Sequence, residues 1–405
     1  MTDAVAFPQD RTCPYRPAPG YRPLAEQRPL SRITLYDGRE AWAVTGYALT
    51  RLLLADPRIS SDHTNPAWPV ANAAAAAARE FGADQKKVIS LLTALVGVDD
   101  PEHRVRRELA EACFTPGLVD ALRPKIREVA DRHLDAMVSR GAPADLVQAF
   151  ASPVALVALY ETLGIPREDQ EYFKQKTQQL FGPQARAIHE ELVTYLAELI
   201  GKRPQQPGES LLGALVTLVA ERGTPADAVP AEILQMLLIM LVSGHHTTSS
   251  SIAIGASALL HHPERLAGLR ADPSLVPAAV DELTRLVSVT DGVQRVAAED
   301  IEVAGTTIAK GDGVFFVLSL INRDPEHYAR PEDLDWDRPA PDDHVGYGFG
   351  PHRCVGVDLA RAIMEIAFRT LLERLPGLRL AVAADEIPVQ PGESFQGLVE
   401  LPVAW

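Results

Sequence analysis

The chain of 405 residues reads as a mainly α protein with a small, segregated sheet, an α+β architecture. Three observations predict it. Residues 97–230 carry an almost unbroken helical pattern, interrupted at short breaks that hold Gly and Pro. The longest helical pattern of all follows, over about 230–260. Strand signals are confined to a region near the N-terminus and another after residue 300.

The elements follow in order. Residues 1–30 are rich in Pro and Arg and read as a segment wrapping the surface. Ile33-Thr34-Leu35-Tyr36 and Ala41-Trp42-Ala43-Val44 read as short strands about a turn at Asp37-Gly38. A short helix is expected over 47–54. The stretch 58–84 holds Pro66, Pro69 and an alanine run, and reads as irregular with at least one helical turn. Residues 87–96 are helical. Breaks in the long helical region fall at Gly141-Ala142-Pro143, Gly164-Ile165-Pro166, Gly182-Pro183 and 203–208. Pro230 suits the first turn of the longest helix and Pro263 lies just past its end. Strands are predicted over 301–303, 306–308 and 314–318, and again after Leu378. No repeat and no linker divides the chain, so one domain over 1–405 is expected. Its β-rich part covers about 20–60 and its helical core about 87–375.

Composition narrows the function. With 46% apolar and 23% charged residues the chain is an ordinary globular protein. A net charge of −15 argues against nucleic acid as a general partner. Cys13, Cys113 and Cys354 form no disulfide framework, which fits a reducing cytoplasm. The opening residues lack the basic segment and apolar run of a signal peptide or membrane anchor. The apolar heart of the long helix, residues 236–242, is too short to cross a bilayer of about 30 Å. Such a helix is expected to run buried through a large domain.

Two stretches carry chemistry. The first is Tyr347-Gly348-Phe349-Gly350-Pro351-His352-Arg353-Cys354-Val355-Gly356. A helical pattern follows its cysteine at once, with Val355, Leu359, Ile363 and Ile366 on one face. A thiol at a helix N-terminus is favoured as thiolate by the unpaired N–H groups there. The glycines let backbone approach a flat partner. No second Cys lies near enough for a paired zinc site, which leaves a single thiolate on a metal held mostly by another group, such as a haem. The plain alternative, a buried structural cysteine, is opposed by the three glycines, the His two residues earlier and the helix. The second stretch is Ser243-Gly244-His245-His246-Thr247-Thr248, a polar patch in the centre of the buried helix. Gly there costs about 1 kcal/mol relative to Ala, and either a ligand's close approach or a helix crossing accounts for it.

The cysteine stretch resembles the ligand loop of the cytochrome P-450 haem-thiolate monooxygenases, Phe-Gly-x-Gly-x-His-x-Cys-x-Gly. Every fixed position matches but the first, where Tyr347 adds a hydroxyl to the ring. The resemblance covers about residues 20–404 and implies a soluble bacterial member of the actinobacterial secondary-metabolism type. It makes Cys354 the iron ligand of haem b (iron protoporphyrin IX), its thiolate favouring O–O cleavage. Phe349 and Gly356 come with it as haem contacts. The family lays the long helix across the oxygen-binding face with the pattern small residue, Gly, any residue, acid, Thr. Here Ser243, Gly244, His245, His246 and Thr247 occupy it, Gly244 meeting the cofactor and His246 replacing the acid. Cleavage of dioxygen consumes two protons in order, so the resemblance gives Thr247 and His246 catalytic roles. An imidazole titrates near neutrality and can relay protons, with slower or leakier oxygen activation as the expected consequence. The alternative is that His246 points into a neighbouring element.

Further matches imply further roles. Glu282 and Arg285 fit the family's Glu-x-x-Arg and share a helix face. The segment Asp333-Leu334-Asp335-Trp336-Asp337-Arg338 resembles the one that supplies a third member, which makes Glu282, Arg285 and Arg338 a structural network under the loop. Asn322-Arg323-Asp324-Pro325 also stands where the family has it. Haem propionates need cations, and the resemblance assigns His103 and Arg107, one helical turn apart, with Arg295 and His352. Arg104, Arg106, Arg353 and Arg361 would make the thiolate side basic and steer an acidic ferredoxin-type donor, unless they form a plain solvated face. Substrate contacts are expected from 64–94, a lid over 179–185 hinged at Gly182-Pro183, 239–246, 286–293 and 395–398. Ile239, Val242, Ser243, Val287, Ser288, Val289 and Phe395 stand out there, with Ser288, Thr290 and Asp291 forming a polar wall.

The implied activity is a monooxygenase that uses O2 to hydroxylate a mid-sized natural product. Its electrons would come from a ferredoxin and reductase, and it would work as a cytoplasmic monomer free of membrane. Oxidative C–C or C–N coupling without oxygen insertion is an alternative motivated by His246. A non-catalytic haem protein is another, opposed by Thr247 and the arginines near Cys354. A haem-free metal site on His245 and His246 is disfavoured, because adjacent helical residues point about 100° apart.

Overall fold

The computed structural model describes residues 5–78, 86, 89–90, 93–179, 184–202, 210–226, 228–391 and 395–405. The hinge expected at Gly182-Pro183, the break over 203–208 and part of the helix expected over 87–96 lie outside the described residues.

Strand β1 (Val5–Ala6), helix α1 (Arg22–Glu26) and strands β2 (Leu30–Thr34) and β3 (Glu40–Val44) open the chain. β2 and β3 pair antiparallel with Ile33 opposite Ala41, and Gly38 supplies the turn's φ of 81°. Leu35 and Tyr36, expected in the strand, belong to that turn: the Leu35 N–H already bonds to Arg39 and its carbonyl accepts from Gly38. Helix α2 (Tyr47–Leu54) forms as its pattern predicts, followed by β4 (Ile59–Ser60) and α3 (Ala73–Ala78).

The helical region contains α4 (Glu102–Cys113), α5 (Pro116–Arg140), α6 (Ser152–Leu163), α7 (Gln170–Gln179), α8 (Ala185–Lys202) and α9 (Leu211–Glu221). Thr115 caps α5 by accepting from the Leu118 N–H, and Pro116 takes its first turn. Gly164 ends α6 in the left-handed conformation at φ 85°. Two pieces escape the helical pattern: β5 (Ala144–Asp145) and a π-helical turn over Val147–Ala151. A two-residue strand carries no periodicity of its own. Its partner lies more than two hundred residues on.

Then come α10 (Val229–Leu260), α11 (Pro263–Ala271), α12 (Val276–Val287), β6 (Val293–Ala297), β7 (Ile301–Val303), β8 (Thr306–Ile308), β9 (Gly313–Phe316) and α13 (Leu318–Ile321). The strand expected over 314–318 stops at Phe316, because the Ser319 N–H is taken by the Asp291 carboxylate and a helical turn begins. Helix α14 (Val357–Arg374) starts two residues after the expected Val355, and β10 (Arg379–Leu380) and β11 (Pro402–Ala404) close the chain.

The main sheet runs β1-β2-β3-β9-β6-β4; β10-β11-β5 make a second and β7-β8 a hairpin. Period two sorts the main sheet's faces. Ala41, Ala43 and Phe315 face one cluster with Phe7 and Tyr21, while Trp42, Val44, Val314 and Phe316 face another with Tyr47 and Tyr328. The third and largest cluster is helical and centres on α10, which packs against α6, α8, α9, α12 and α14. The length and apolarity of α10 match those of a membrane span, yet most of 233–241 and 248–259 is buried inside the protein.

Candidate active site

The cysteine loop is held from both ends. Gly348 and Gly350 each adopt φ 72°, and a Cβ on Gly350 would collide with the Leu54 carbonyl at the end of α2. The Cys354 N–H closes the loop onto the Tyr347 carbonyl at 2.9 Å. The Arg51 guanidinium lies 4.5 Å over the Phe349 ring. Cys354 is accessible from a cavity of about 390 Å³ that it shares with Arg107, Phe114, Asp342, Arg353 and Arg361. Burial among the surrounding protein raises its thiol pKa, against the pull of the Gly356 N–H, Arg107 and Arg353. Helix α14 begins three residues later, so the Gly356 N–H, Arg107 and Arg353 are the nearby groups that favour the thiolate. The open side of Gly356 faces the Phe114 ring at 3.8 Å, an ordinary contact with α4's C-cap residue.

Beside the loop, histidines and arginines gather. His103 is 3% exposed, and its ring centroid lies 3.9 Å from that of His352. Burial, followed by Arg295, His103, Arg107 and His63, pushes His352 down to about 3. Burial and Arg295 push His63 down to about 4. Arg295 itself falls to about 10 through burial, with Asp99 pulling the other way. His103 falls too, burial outweighing Asp100, whose carboxylate stands 3.5 Å from Nδ1. Burial is the largest cause in each case; the charges of Arg295 and Arg107 add to it for the histidines, and Asp62, Asp99 and Asp100 oppose it in part.

His63 escaped the sequence reading. It sits in the irregular stretch with no motif, fixed by its N–H to the Gly97 carbonyl and by its ring at 4.3 Å from Trp68. Arg107 is placed differently from expectation. Its Nε donates to Glu111 at 2.7 Å and an Nη to the Arg353 carbonyl, because the acid one turn on shares its face. It therefore fastens α4 to the cysteine loop.

Helix α10 is interrupted in its burial only at its centre. Val242 is 44% exposed and Ser243 and His246 are also exposed, between two buried runs. The Thr247 hydroxyl donates to the Ser243 carbonyl at 2.7 Å. The Cβ position of Gly244 lies 3.3 Å from Leu159, so its smallness serves the α6–α10 crossing, one of the two accounts that the sequence left open. His245 points to the same neighbour, Nε2 lying 3.3 Å from the Ser152 hydroxyl, and burial lowers its pKa. His246 lines a second cavity of about 150 Å³ with Gln148, Ser152, Ser249, Ser250 and Gln390. It faces the π-helical turn and the C-terminal segment, the alternative that the sequence left open.

The expected substrate wall divides. Val242, Ser243 and Phe395 are exposed, whereas Ile239, Val287, Ser288 and Val289 are buried. The polar wall is not confirmed. Ser288 donates to the Arg285 carbonyl and accepts from Asn322, and Asp291 holds Arg11 and the Ser319 N–H. Both side chains are consumed inside the protein.

The Glu282 carboxylate accepts from Arg285 at 2.7 and 2.8 Å, from Arg338 at 3.1 Å and from the Asp335 N–H at 2.8 Å. Arg285 reaches the Asn322 carbonyl, and the Asn322 side chain accepts from Val345, two residues before the loop. The expected basic patch is mixed. Arg361 pairs with Asp281 and Arg106 lies 3.8 Å from Glu102.

Residues 142–376 match the family model of the cytochrome P450s. The chain is a cytochrome P450. It is 49% identical over 405 residues to the pentalenic acid synthase of Streptomyces avermitilis, covering 99% of this chain and 97% of that protein. It is 40% identical to the vitamin D3 dihydroxylase of Streptomyces griseolus, over 100% and 98% of the two. The crystal structure of CYP105D6 superposes with a TM-score of 0.84 at 43% identity, covering 100% of this chain and 99% of that one. This P450 is thus a bacterial oxidoreductase of the monooxygenase type, with the mainly α fold that the sequence predicted and a haem cofactor implied by the family. The residues fit that group. A lone accessible thiol in a recess suits an iron, and the Arg295 guanidinium with the imidazole donors of His63, His103 and His352 beside it suits two carboxylates.

Proposed function

We propose that this P450 hydroxylates a mid-sized natural product bound beside the exposed centre of α10. The observation that carries this reading is the opening at Val242, Ser243 and His246 in a helix buried on either side, together with the recessed Cys354. The vitamin D3 dihydroxylase, similar over its full length, supports hydroxylation.

Cys354 would bind the iron of haem b; His103, His352, Arg295 and His63 would hold its carboxylates, and Phe349 packs at the loop. Haem, when bound, supplies the activation of dioxygen. Thr247 positions a proton on the substrate side of α10, and His246 draws protons from the polar cavity of Gln148, Ser152 and Gln390. Glu282, Arg285 and Arg338 keep the loop's support rigid. Val242, Ser243 and Phe395 touch substrate, with Ile239, Val287 and Val289 packed behind them. Electrons enter from a ferredoxin-type donor on the Arg353 side. The 405 residues act as one domain, a cytoplasmic monomer free of membrane and nucleic acid. In support, the largest core cluster joins Tyr15 to Val403.

The absorption spectrum of the dithionite-reduced protein with carbon monoxide tests the foundation. A Soret band far to the red in the wild type, lost in Cys354→Ser, is expected. A band at the position of histidine-ligated haem would sink the reading. Oxidative coupling, which His246 in place of an acid favours, is separated by turnover under labelled dioxygen: coupled products carry no label.

A further inference from the structure

Arg11 lies 276 residues before the turn it holds. Its side chain is wholly buried. One Nη donates to the Pro14 carbonyl at 3.1 Å and the Val287 carbonyl at 2.7 Å; the other donates to the Ser288 carbonyl at 3.0 Å and meets the Asp291 carboxylate at 2.9 Å. It thus satisfies the last carbonyls of α12 where Ser288 turns into the left-handed region, φ 43° and ψ 64°. The other Asp291 oxygen accepts the Ser319 N–H, and Arg323, also buried, reaches from the Ser319 carbonyl to that of Tyr15. The N-terminal segment is therefore clasped to the 288–291 turn by Arg11, and to the adjoining α13 by Arg323.

That turn bears on the site. Thr290 pairs with Phe395 in an antiparallel bridge, and the Gln396 N–H bonds to the Val289 carbonyl at 2.7 Å. The segment so held continues to Leu398 and Val399, which with Gln390 wall the cavity containing His246. Contacts run from Arg11 through Ser288 and Asp291 to Phe395 and that cavity. Arg11 itself touches none of the cations near Cys354.

We propose that Arg11 is a positioning residue that sets the substrate-side wall at Phe395 through the 288–291 turn. The proposal rests on the reading of the site given above. A lysine here keeps a charge beside Asp291 but lacks the fork that serves two carbonyls at once. Arg11→Met with Asp291→Leu removes both charges together and leaves neither buried alone.

The test titrates the haem-loaded wild type, R11K and the double variant with two iron-binding azoles, read by the Soret shift. Imidazole is small and reports the iron; clotrimazole is bulky and must fit against the wall. Clotrimazole affinity should fall by about tenfold in both variants, with imidazole affinity held within about twofold. The red-shifted carbon monoxide band should be unchanged. R11K alone suffices should the double variant not fold. Unchanged clotrimazole binding overturns the proposal, even with a lowered melting temperature, because the role would then be structural. Equal losses for both azoles overturn it as well. A wild type without the red-shifted band would instead sink the reading of the site itself, and the proposal with it.

Discussion

Asp281 and Glu282 are consecutive on α12, and their carboxylates fasten different parts of the molecule. Asp281 pairs with Arg361 on α14, the helix that leaves the cysteine loop. Glu282 takes Arg285 on its own helix and Arg338 from the segment before the loop. Two neighbouring acids thereby tie both flanks of the loop to one helix.

Glu282→Ala should be among the most destabilising substitutions in the chain. Glu282 is 0% exposed and Arg285 is 1% exposed. Removing the carboxylate leaves a buried guanidinium without its counter-charge, at a cost of about 3–5 kcal/mol. Urea unfolding followed by circular dichroism should show the midpoint fall by that equivalent, and the purified protein should carry less haem. A loss under about 1 kcal/mol would mean that the Asn322, Pro331 and Asp333 carbonyls alone support Arg285.

Two glycines with nearly equal φ should respond differently to alanine. Gly350 sits at φ 72° against the Leu54 carbonyl, whereas Gly38 sits at φ 81° with nothing within 4 Å of its Cβ position. Gly38→Ala meets backbone strain only, about 1 kcal/mol. Gly350→Ala adds a collision with the end of α2, so its melting temperature and haem content should both fall further. Equal effects would show that α2 yields freely.

Thr247→Val removes the hydroxyl that now donates to the Ser243 carbonyl while keeping the side chain's volume. On the proposed function, product formation should drop by roughly 10²-fold, and the share of NADPH electrons ending in hydrogen peroxide should rise. His246→Glu should lower that share. If neither variant changes the peroxide yield, protons reach the site by another route.

Acid should weaken the fold partly through His344. Burial first, then Arg285, Arg361 and Arg353, push its pKa down to about 3, whereas an unfolded chain protonates histidine near about 6.5. Between those values the unfolded state binds more protons, so this contribution is complete above about pH 6.5 and is lost as pH falls toward 3. Asp281, raised by burial to about 6 against the pull of Arg361, acts oppositely as pH falls from 6 toward about 4. His344→Gln should flatten the acid limb of stability against pH relative to wild type. Parallel curves would refute the assignment.

The helices at 47–54 and 229–260 were legible because each carries its own apolar stripe or run, and the cysteine loop because its glycines, His352 and Cys354 stand at fixed spacing. β5 was not legible. His63 was equally silent, since it joins Arg295 and His352 from a stretch without motif or period.

Local pattern therefore marked most of the helical segments, the central helix and the cysteine proposed to bear the chemistry. Each of these depends on residues within a few turns of one another. Which neighbour a side chain meets was left to the packing of distant segments. Gly244 faces Leu159, Ser288 and Asp291 are spent on Asn322, Arg11 and Ser319, and Arg107 holds the cysteine loop. A period of 3.6 or 2 names the buried face of an element; the partner that buries it is chosen by contacts across hundreds of residues.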